Sequence, residues 1–598
     1  RERFLQQFGF LDASIPVLRL QISTAMQSEK FFEAELWLTK LMKRKSPEHT
    51  AEGLAGMVQL CMKFNLTDDA AYYLNQLSEL DPNLIVAENL TAAQFQEQYH
   101  QKLETLNQKA LPESWRPHNL KLIVGGSSRN YSSRENTLDT SDSSLPFYRS
   151  LILSVDPKQN RLTMDQPAGN QQMWSTPLRS SIQSRSSSFN ESDVVGHNLI
   201  LQHRDMLHFF DLVDRRLIWS QKLEKEQANR YYASSYRLTP AQLGNESTLV
   251  HRHHPSIAIR KVGMIAAANA DYTCYYSRRQ IVMIDTRTGK VRWTHENVDK
   301  ETRVLGDDRM IYLVTRDRVT RKILRVSDGQ LVEIGETGQY LENAIYQGES
   351  AFVAISSAED TKLPGLTAGV SSLFSFHPQS KEFNWKLDFP RDSQFGLFSH
   401  HYLSVLGPKG QLSVIDLRNG KRSELEGIPR AELKDHQNFY LVADREQIYF
   451  AAHSPSHNSI SVNIPSIPIN GMLYTFNRQT GKRLWSQEIN NQHLVLDQQN
   501  LLPVILLVSR DYKRRGNRST SIIHLQAINK QTGESLLTWN APIDSNIRDL
   551  NVDYGQKMIE ILTYNARIRL YDADELAIRD QKRAAPQPPA EKQTTEKN

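Results

Sequence analysis

Cysteine is nearly missing: Cys61 and Cys274 are the only two in 598 residues. They fall in stretches of different character, so a disulfide framework is excluded and each reads as a small buried apolar residue. No apolar run is long enough to span a bilayer, and no signal peptide opens the chain. The first residue is Arg rather than Met, so we expect the numbering to begin inside a longer or processed chain, where a missing targeting segment carries no information. Charge of one sign is missing too. With 72 Lys and Arg against 67 Asp and Glu the net charge is +5, which gives no global pull toward nucleic acid or an anionic membrane. A Gly-rich phosphate loop, a nucleophile elbow and an HExxH pair are all lacking. A content of 39% hydrophobic and 23% charged residues is globular, and the length exceeds one ordinary core.

What the chain has is a repeating hairpin. In Ile281–Trp293, IVMIDTRTGKVRW, the run Ile281–Ile284 suits a buried strand. Asp285–Lys290 supply turn residues with Gly289 free to take positive φ, and Val291–Trp293 begin a second strand. Leu473–Trp485, LYTFNRQTGKRLW, repeats this position for position, with Asn477 for the Asp, Gly481 in the turn and Trp485 at the shoulder. Looser copies are His524–Trp539 with Gly533 and Trp539, Leu373–Trp385, His208–Trp219 and Leu162–Trp174. Ile323–Ile334 and Leu412–Leu425, the latter with Gly420, keep the turn and lose the Trp. Six of the eight Trp therefore hold one place in a repeat whose turns fall near 169, 215, 289, 329, 380, 420, 481 and 533. A period of roughly 40 to 50 residues in a strand-rich sequence points to a β-propeller.

The pattern of apolar strand, Asp, Thr-Gly-Lys, two residues and Trp resembles the PQQ-like repeat of quinoprotein-type propellers and of the outer-membrane assembly lipoprotein of the bacterial β-barrel machinery. The resemblance covers about residues 120 to 575 and implies a mainly β fold: eight blades of four antiparallel strands, with seven as the alternative. Trp174, Trp219, Trp293, Trp385, Trp485 and Trp539 would then wedge between blades, each burial contributing roughly 2 to 3 kcal/mol. Ile568–Asp572 is a final half-unit of the sort a propeller uses to close, mixing strands from both chain ends in one blade. Leu120–Val124 is the first strand candidate.

Residues 1 to 110 read as helical. Ser28–Arg44, Thr50–Phe64, Ala70–Leu80 and Gln94–Ala110 carry apolar stripes, Ser46-Pro47-Glu48 opens the second of these, and Asp81-Pro82 stops the third. These helix pairs resemble a tetratricopeptide array, which implies either a concave peptide-binding surface or an arm that spaces or caps the propeller. Residues 111–119, with Trp115-Arg116-Pro117, are a linker, 120–578 the propeller, and 579–598 a polar, Pro-rich tail read as disordered. Ser127–Ser144 and Arg179–Ser192 are polar excursions.

For chemistry the residues offer little. A quinoprotein dehydrogenase would hold pyrroloquinoline quinone over a Trp with Ca²⁺ beside it, and many of that class add a vicinal cysteine pair; no adjacent cysteines occur here, so no cofactor and no metal are expected. His251, His253 and His254 form the densest histidine cluster, yet Arg252 beside them adds charge and no carboxylate or Cys flanks them. Lys513, Arg514 and Arg515 lie in a basic hairpin tip suited to an acidic protein surface or a phosphate. The expectation is a non-enzymatic scaffold whose propeller loops and helical arm bind protein partners, not nucleic acid. An extracytoplasmic, cell-envelope location is implied by the resemblance alone. The alternative is a quinone- or sugar-binding enzyme using the central channel.

Overall fold

The computed structural model describes residues 12–573 except 45, 88–89, 108–114, 116, 127–137, 139–144, 157–158, 167–170, 180–189, 224–264, 278, 300–301, 315–320, 333–339, 342–343, 348–351, 357–368, 379–382, 400–401, 434–437, 445, 455–463, 465, 497–501, 516–517, 544–546, 555 and 564. The polar tail and most of both Ser-rich excursions lie outside the described residues.

Five helices come first: α1 (Ile15–Gln27), α2 (Phe31–Met42), α3 (Pro47–Lys63), α4 (Thr67–Ser78) and α5 (Ala92–Asn107). Pro16 and Pro47 sit in the first turns of α1 and α3, where a missing N–H is harmless. The expected helix from Ser28 starts later, at Phe31, because Glu29 is left-handed at φ +54 and breaks the chain between α1 and α2. Helix α1 itself was not anticipated, although Ile15, Leu18 and Ala25 are buried on one of its faces. Helix α2 is apolar nearly all round. Ala34 and Leu38 pack toward α3 and α4, Phe32 and Leu36 toward the sheets, and Trp37 and Leu41 toward α1. That makes it the centre of the helical region rather than a surface helix.

The strands pair only with antiparallel neighbours and form eight sheets of three or more strands among the described residues. The first holds Ile152–Asp156, Arg161–Gln166 and Gln171–Pro177; the second Asn190–Val195, Asn198–His203, Met206–Asp211 and Arg216–Lys222. The third holds Ile265–Ala268, Tyr272–Ser277, Gln280–Asp285 and Val291–His295; the fourth Arg303–Gly306, Met310–Val314, Arg321–Arg325 and Leu331–Val332. The fifth holds Ala344–Gln347, Phe352–Ser356, Val370–Phe376 and Phe383–Pro390; the sixth Gln394–Ser399, Tyr402–Leu406, Leu412–Asp416 and Arg422–Leu425. The seventh joins seven strands: Asn438–Ala443, Gln447–His453, Ser466–Asn477, Arg483–Val495, Val504–Arg515, Arg518–Asn529 and Ser535–Pro542. The eighth comprises Ile547–Asp553, Met558–Thr563, Ala566–Asp572 and, from the other end of the chain, Leu120–Gly126.

Each sheet shares a buried apolar core with the next, from the first and second through to the seventh and eighth, in the order of propeller blades. The eight turns and the sheets do not correspond one to one. Two turn-bearing units share the seventh sheet because the end of Arg483–Val495 also pairs with Val504–Arg515, through His493 with Val508 and Leu494 with Leu507. The chain ends make a sheet of their own, with Leu120 opposite Asp572 and Gly126 opposite Ala566. Trp115, expected in a linker, is 6% exposed and donates from Nε1 to Asp572 Oδ2 at 3.1 Å, so it fastens the joint between the two ends.

Candidate functional site

The repeated turn is built the same way in the third, fourth, sixth and seventh sheets. The glycine N–H donates to the carbonyl four residues back, in Gly289 to Asp285, Gly329 to Arg325, Gly420 to Asp416, Gly481 to Asn477 and Gly533 to Asn529, all at 2.8–2.9 Å. Asp285 and Asn477 also accept from the turn threonine, Thr288 and Thr480, through both N–H and hydroxyl. Burial pushes the Asp285 carboxyl up, but Arg292 at 2.7 Å outweighs it and holds the group below the usual carboxylate range.

The glycine is required by the tryptophan of the preceding unit. A Cβ at Gly289 would lie 2.6 Å from Trp219 Cγ, and one at Gly329, Gly420 or Gly533 would lie 2.6–2.7 Å from Cδ2 of Trp293, Trp385 or Trp485. Three of these indoles also donate from Nε1 to the carbonyl three residues before the glycine: Trp219 to Thr286, Trp293 to Val326 and Trp485 to Lys530, at 2.7–2.8 Å. Trp174 meets Phe210 of the second sheet edge-on at 5.9 Å, and Trp539 is half-buried against the core shared with the eighth. Where the preceding unit has no Trp, backbone takes its place: Glu426 N–H donates to Gly481 O, and a Cβ on Gly481 would strike Glu424 O. In the His208–Trp219 copy, which lacks the glycine, Arg215 itself takes φ +56.

Antiparallel order gives each of the second to sixth sheets, which have four strands in chain order, two different ends. Turns between first and second strands, and the repeated turns between third and fourth, emerge at one end; connections between second and third strands, and from sheet to sheet, emerge at the other. The helical region sits on the turn end. Glu35 of α2 meets His197 in the second sheet, Lys40 pairs with Asp271 in the third, and Lys43 Nζ lies 2.9 Å from Asp308 Oδ1 in the fourth. Trp37 faces Arg287 across 5.7 Å and, with Lys40, Asp271, Asp285 and Arg292, lines a small cleft beside the repeated turn of the third sheet. Tyr72 of α4 acts electrostatically on Arg418 in the repeated turn of the sixth sheet.

Lys530, in the Gly533 turn, pairs with Asp444 in the turn between the first and second strands of the seventh sheet, so the far tip of the hairpin Val504–Arg515 and Arg518–Asn529, with Lys513, Arg514 and Arg515, belongs to the opposite end. His251, His253 and His254 lie outside the described residues, in the connection 224–264 between the second sheet and the third. Lys513, Arg514 and Arg515 close a ribbon whose pairing runs on to Arg515 opposite Arg518. Its neighbours stop earlier, at Ile522 opposite Pro542 on one side and Val508 opposite His493 on the other. About four residue pairs therefore stand clear of the sheet, roughly 13 Å at 3.3 Å per residue.

Two sets of residues escaped the sequence reading. One is the Glu35–His197 contact, whose partners are 162 positions apart. The other is a second repeat that was legible: Asp307 and Tyr312, and again Asp444 and Tyr449, pair hydroxyl to carboxylate at 2.6 and 2.7 Å in the turn between first and second strands. The spacing Asp-x-x-x-x-Tyr ahead of an apolar strand is its mark. Among the described residues no three His, Cys, Asp or Glu side chains gather as metal ligands, and no helix is long and apolar enough to cross a membrane.

No protein-family model matches the sequence, and no curated protein is similar to it. Solved structures similar to this chain include BamB from Moraxella catarrhalis, at 13% identity and a TM-score of 0.22, covering 65% of this chain and 99% of that one. The WD40 domain of SCAP from fission yeast has 11% identity and a TM-score of 0.30, covering 66% and 98%. A europium-containing methanol dehydrogenase has 11% identity and a TM-score of 0.26, covering 63% and 84%.

Proposed function

We propose that this chain is a non-enzymatic, protein-binding scaffold: a PQQ-like β-propeller carrying a tetratricopeptide-like helical cap, working in the bacterial cell envelope. The division of the sheets into two ends carries the reading. One end is occupied by the chain's own helices, through the contacts of Glu35, Lys40 and Lys43. The other bears a projecting basic ribbon whose edges pair with no further strand among the described residues. Rigid sheets that present loops and unpaired strand edges at one end are built for holding a partner.

A photo-crosslinking residue placed at Lys513 or Arg515, and in parallel at Arg287 on the capped end, tests this in cells. Cross-links to the same partner from the ribbon, and none from Arg287, are expected. Purified protein carrying one equivalent of a quinone, detected by its absorption band and mass, would replace the scaffold with an oxidoreductase.

A further inference from the structure

Glu35 is 1% exposed and His197 fully enclosed, yet both are ionisable and they come from different parts of the chain. His197 Nδ1 lies 2.6 Å from Glu35 Oε1, and the His197 backbone N–H donates to the same oxygen at 3.0 Å. Asn198 Nδ2 donates to Glu35 Oε2 at 2.8 Å. On the far side, His197 Nε2 lies 3.4 Å from Asp69 Oδ1 of α4, an ion-pair distance rather than a short hydrogen bond. Asp69 also accepts from Phe147 N–H at 3.1 Å. Phe31 and Phe147 close over the imidazole edge-on at 5.1 and 5.0 Å. The fit is tight at the backbone too, since Gly196 has φ +58 and a Cβ there would lie 2.4 Å from Glu35 Oε1.

We propose that the helical region is held over the turn end of the second sheet by a proton-dependent latch, in which His197, charged and sealed between Glu35 and Asp69, joins α2 and α4 to the turn Gly196–His197. Other titratable groups face this site: Cys61 from α3, Tyr73 from α4, Tyr148 from the segment Pro146–Ser150, and through Tyr148 also Asp193 and Asp211 of the second sheet. Burial pushes Cys61, Tyr73 and Tyr148 well up, so these three stay neutral. Tyr148 donates instead to Gly196 O at 2.9 Å.

Burial by itself would lower the His197 pKa; attraction from Glu35, the hydrogen bond to Glu35 and the nearby Asp69 carboxylate reverse this and hold it up at about 9. Once the arm lifts, the imidazole returns toward its ordinary 6.5. A raised folded value means that the latch is complete below about 6.5 and is lost as pH rises through about 9. Lys40–Asp271 and Lys43–Asp308 join the same arm to the third and fourth sheets.

The two buried cysteines report on this within one intact molecule, because Cys61 lies in α3 and Cys274 in the third sheet. Labelling both with a thiol reagent and taking the ratio of their rates cancels the reagent's own pH dependence. In the wild-type protein the Cys61 to Cys274 ratio is expected to rise some tens of fold between pH 7 and 10. His197→Gln is expected to show a raised ratio already at pH 7 and no further rise. Lys40→Ala is expected to raise the ratio while keeping the wild-type slope. Should His197→Gln fail to fold, Asp69→Asn serves, with a reduced slope expected. A wild-type ratio that stays flat with pH, or a His197→Gln protein that keeps the wild-type slope, overturns the proposal.

Discussion

Trp385 differs from its counterparts by one hydrogen bond. Trp219, Trp293 and Trp485 each donate to a carbonyl of the next unit, whereas Trp385 Nε1 is buried with no partner among the described residues. Replacing an indole by phenyl keeps most of the apolar wedge and removes that N–H. Trp293→Phe is therefore expected to lose about 1 kcal/mol more stability than Trp385→Phe in urea unfolding, the net worth of one hydrogen bond. Glycine allows a second comparison. Gly289 and Gly369 both have positive φ, +67 and +81, but only Gly289 has an indole in the place of its Cβ. Gly369→Ala pays about 1 kcal/mol of backbone strain, and Gly289→Ala adds the clash, so its melting temperature should fall several degrees further. The Gly-to-Trp spacing was legible from residues alone. Which glycine each tryptophan meets was not, because the pair belongs to neighbouring units some 70 positions apart in the case of Trp219 and Gly289.

Within the second sheet two histidines are buried. His203 lies two and four residues from Leu201 and Leu199, and His208 two from Phe210; those residues face the first sheet, so both imidazoles share that face. Burial lowers each to about 4 from an ordinary 6.5. The unfolded chain takes up these two protons as pH falls through 6.5 and the fold refuses them, so their contribution is full above 6.5 and is lost toward 4. Asp211, raised to about 6 by burial, and His197, raised to about 9, work in the opposite sense, but most of the His197 change lies above pH 7. Melting temperature is expected to fall as pH drops from 7 to 5, with a shallower slope in His208→Leu; an unchanged slope would exclude this assignment.

Strand positions elsewhere were readable, since Asn198–His203, Met310–Val314 and Tyr402–Leu406 are runs of β-formers bounded by turn residues. Helix α1 was not, because its apolar residues follow a segment without a strong start beyond Pro16. The joining of two units in the seventh sheet was hidden as well. It depends on a bend near Gly471, at φ +153, and Asn491, at φ +49, where the register between Ser466–Asn477 and Arg483–Val495 shifts. That choice is made by packing rather than by local propensity.

On the scale of the whole molecule, the expected mixing of the chain ends is visible as the pairing of Leu120–Gly126 with Ala566–Asp572. Trp115→Ala removes both the buried indole and its bond to Asp572, and is expected to cost about 3 to 5 kcal/mol. Hydrogen exchange should then quicken in the two end strands together and leave the third and fourth sheets protected; equal quickening everywhere would contradict a local fastening. The arrangement of helices over one end was beyond sequence reasoning, because Lys43 and Asp308 are 265 positions apart and nothing in either stretch marks the other.

Leu120–Gly126 leaves the ribosome about 450 residues before the strand it zips to. At the usual pace of synthesis that is a wait of roughly half a minute or more, during which the helices, with a core of their own, can already have formed. The last sheet is thus completed by the earliest strand of the eight sheets, and a nascent chain stalled anywhere short of Asp572 holds a row of sheets with an open seam.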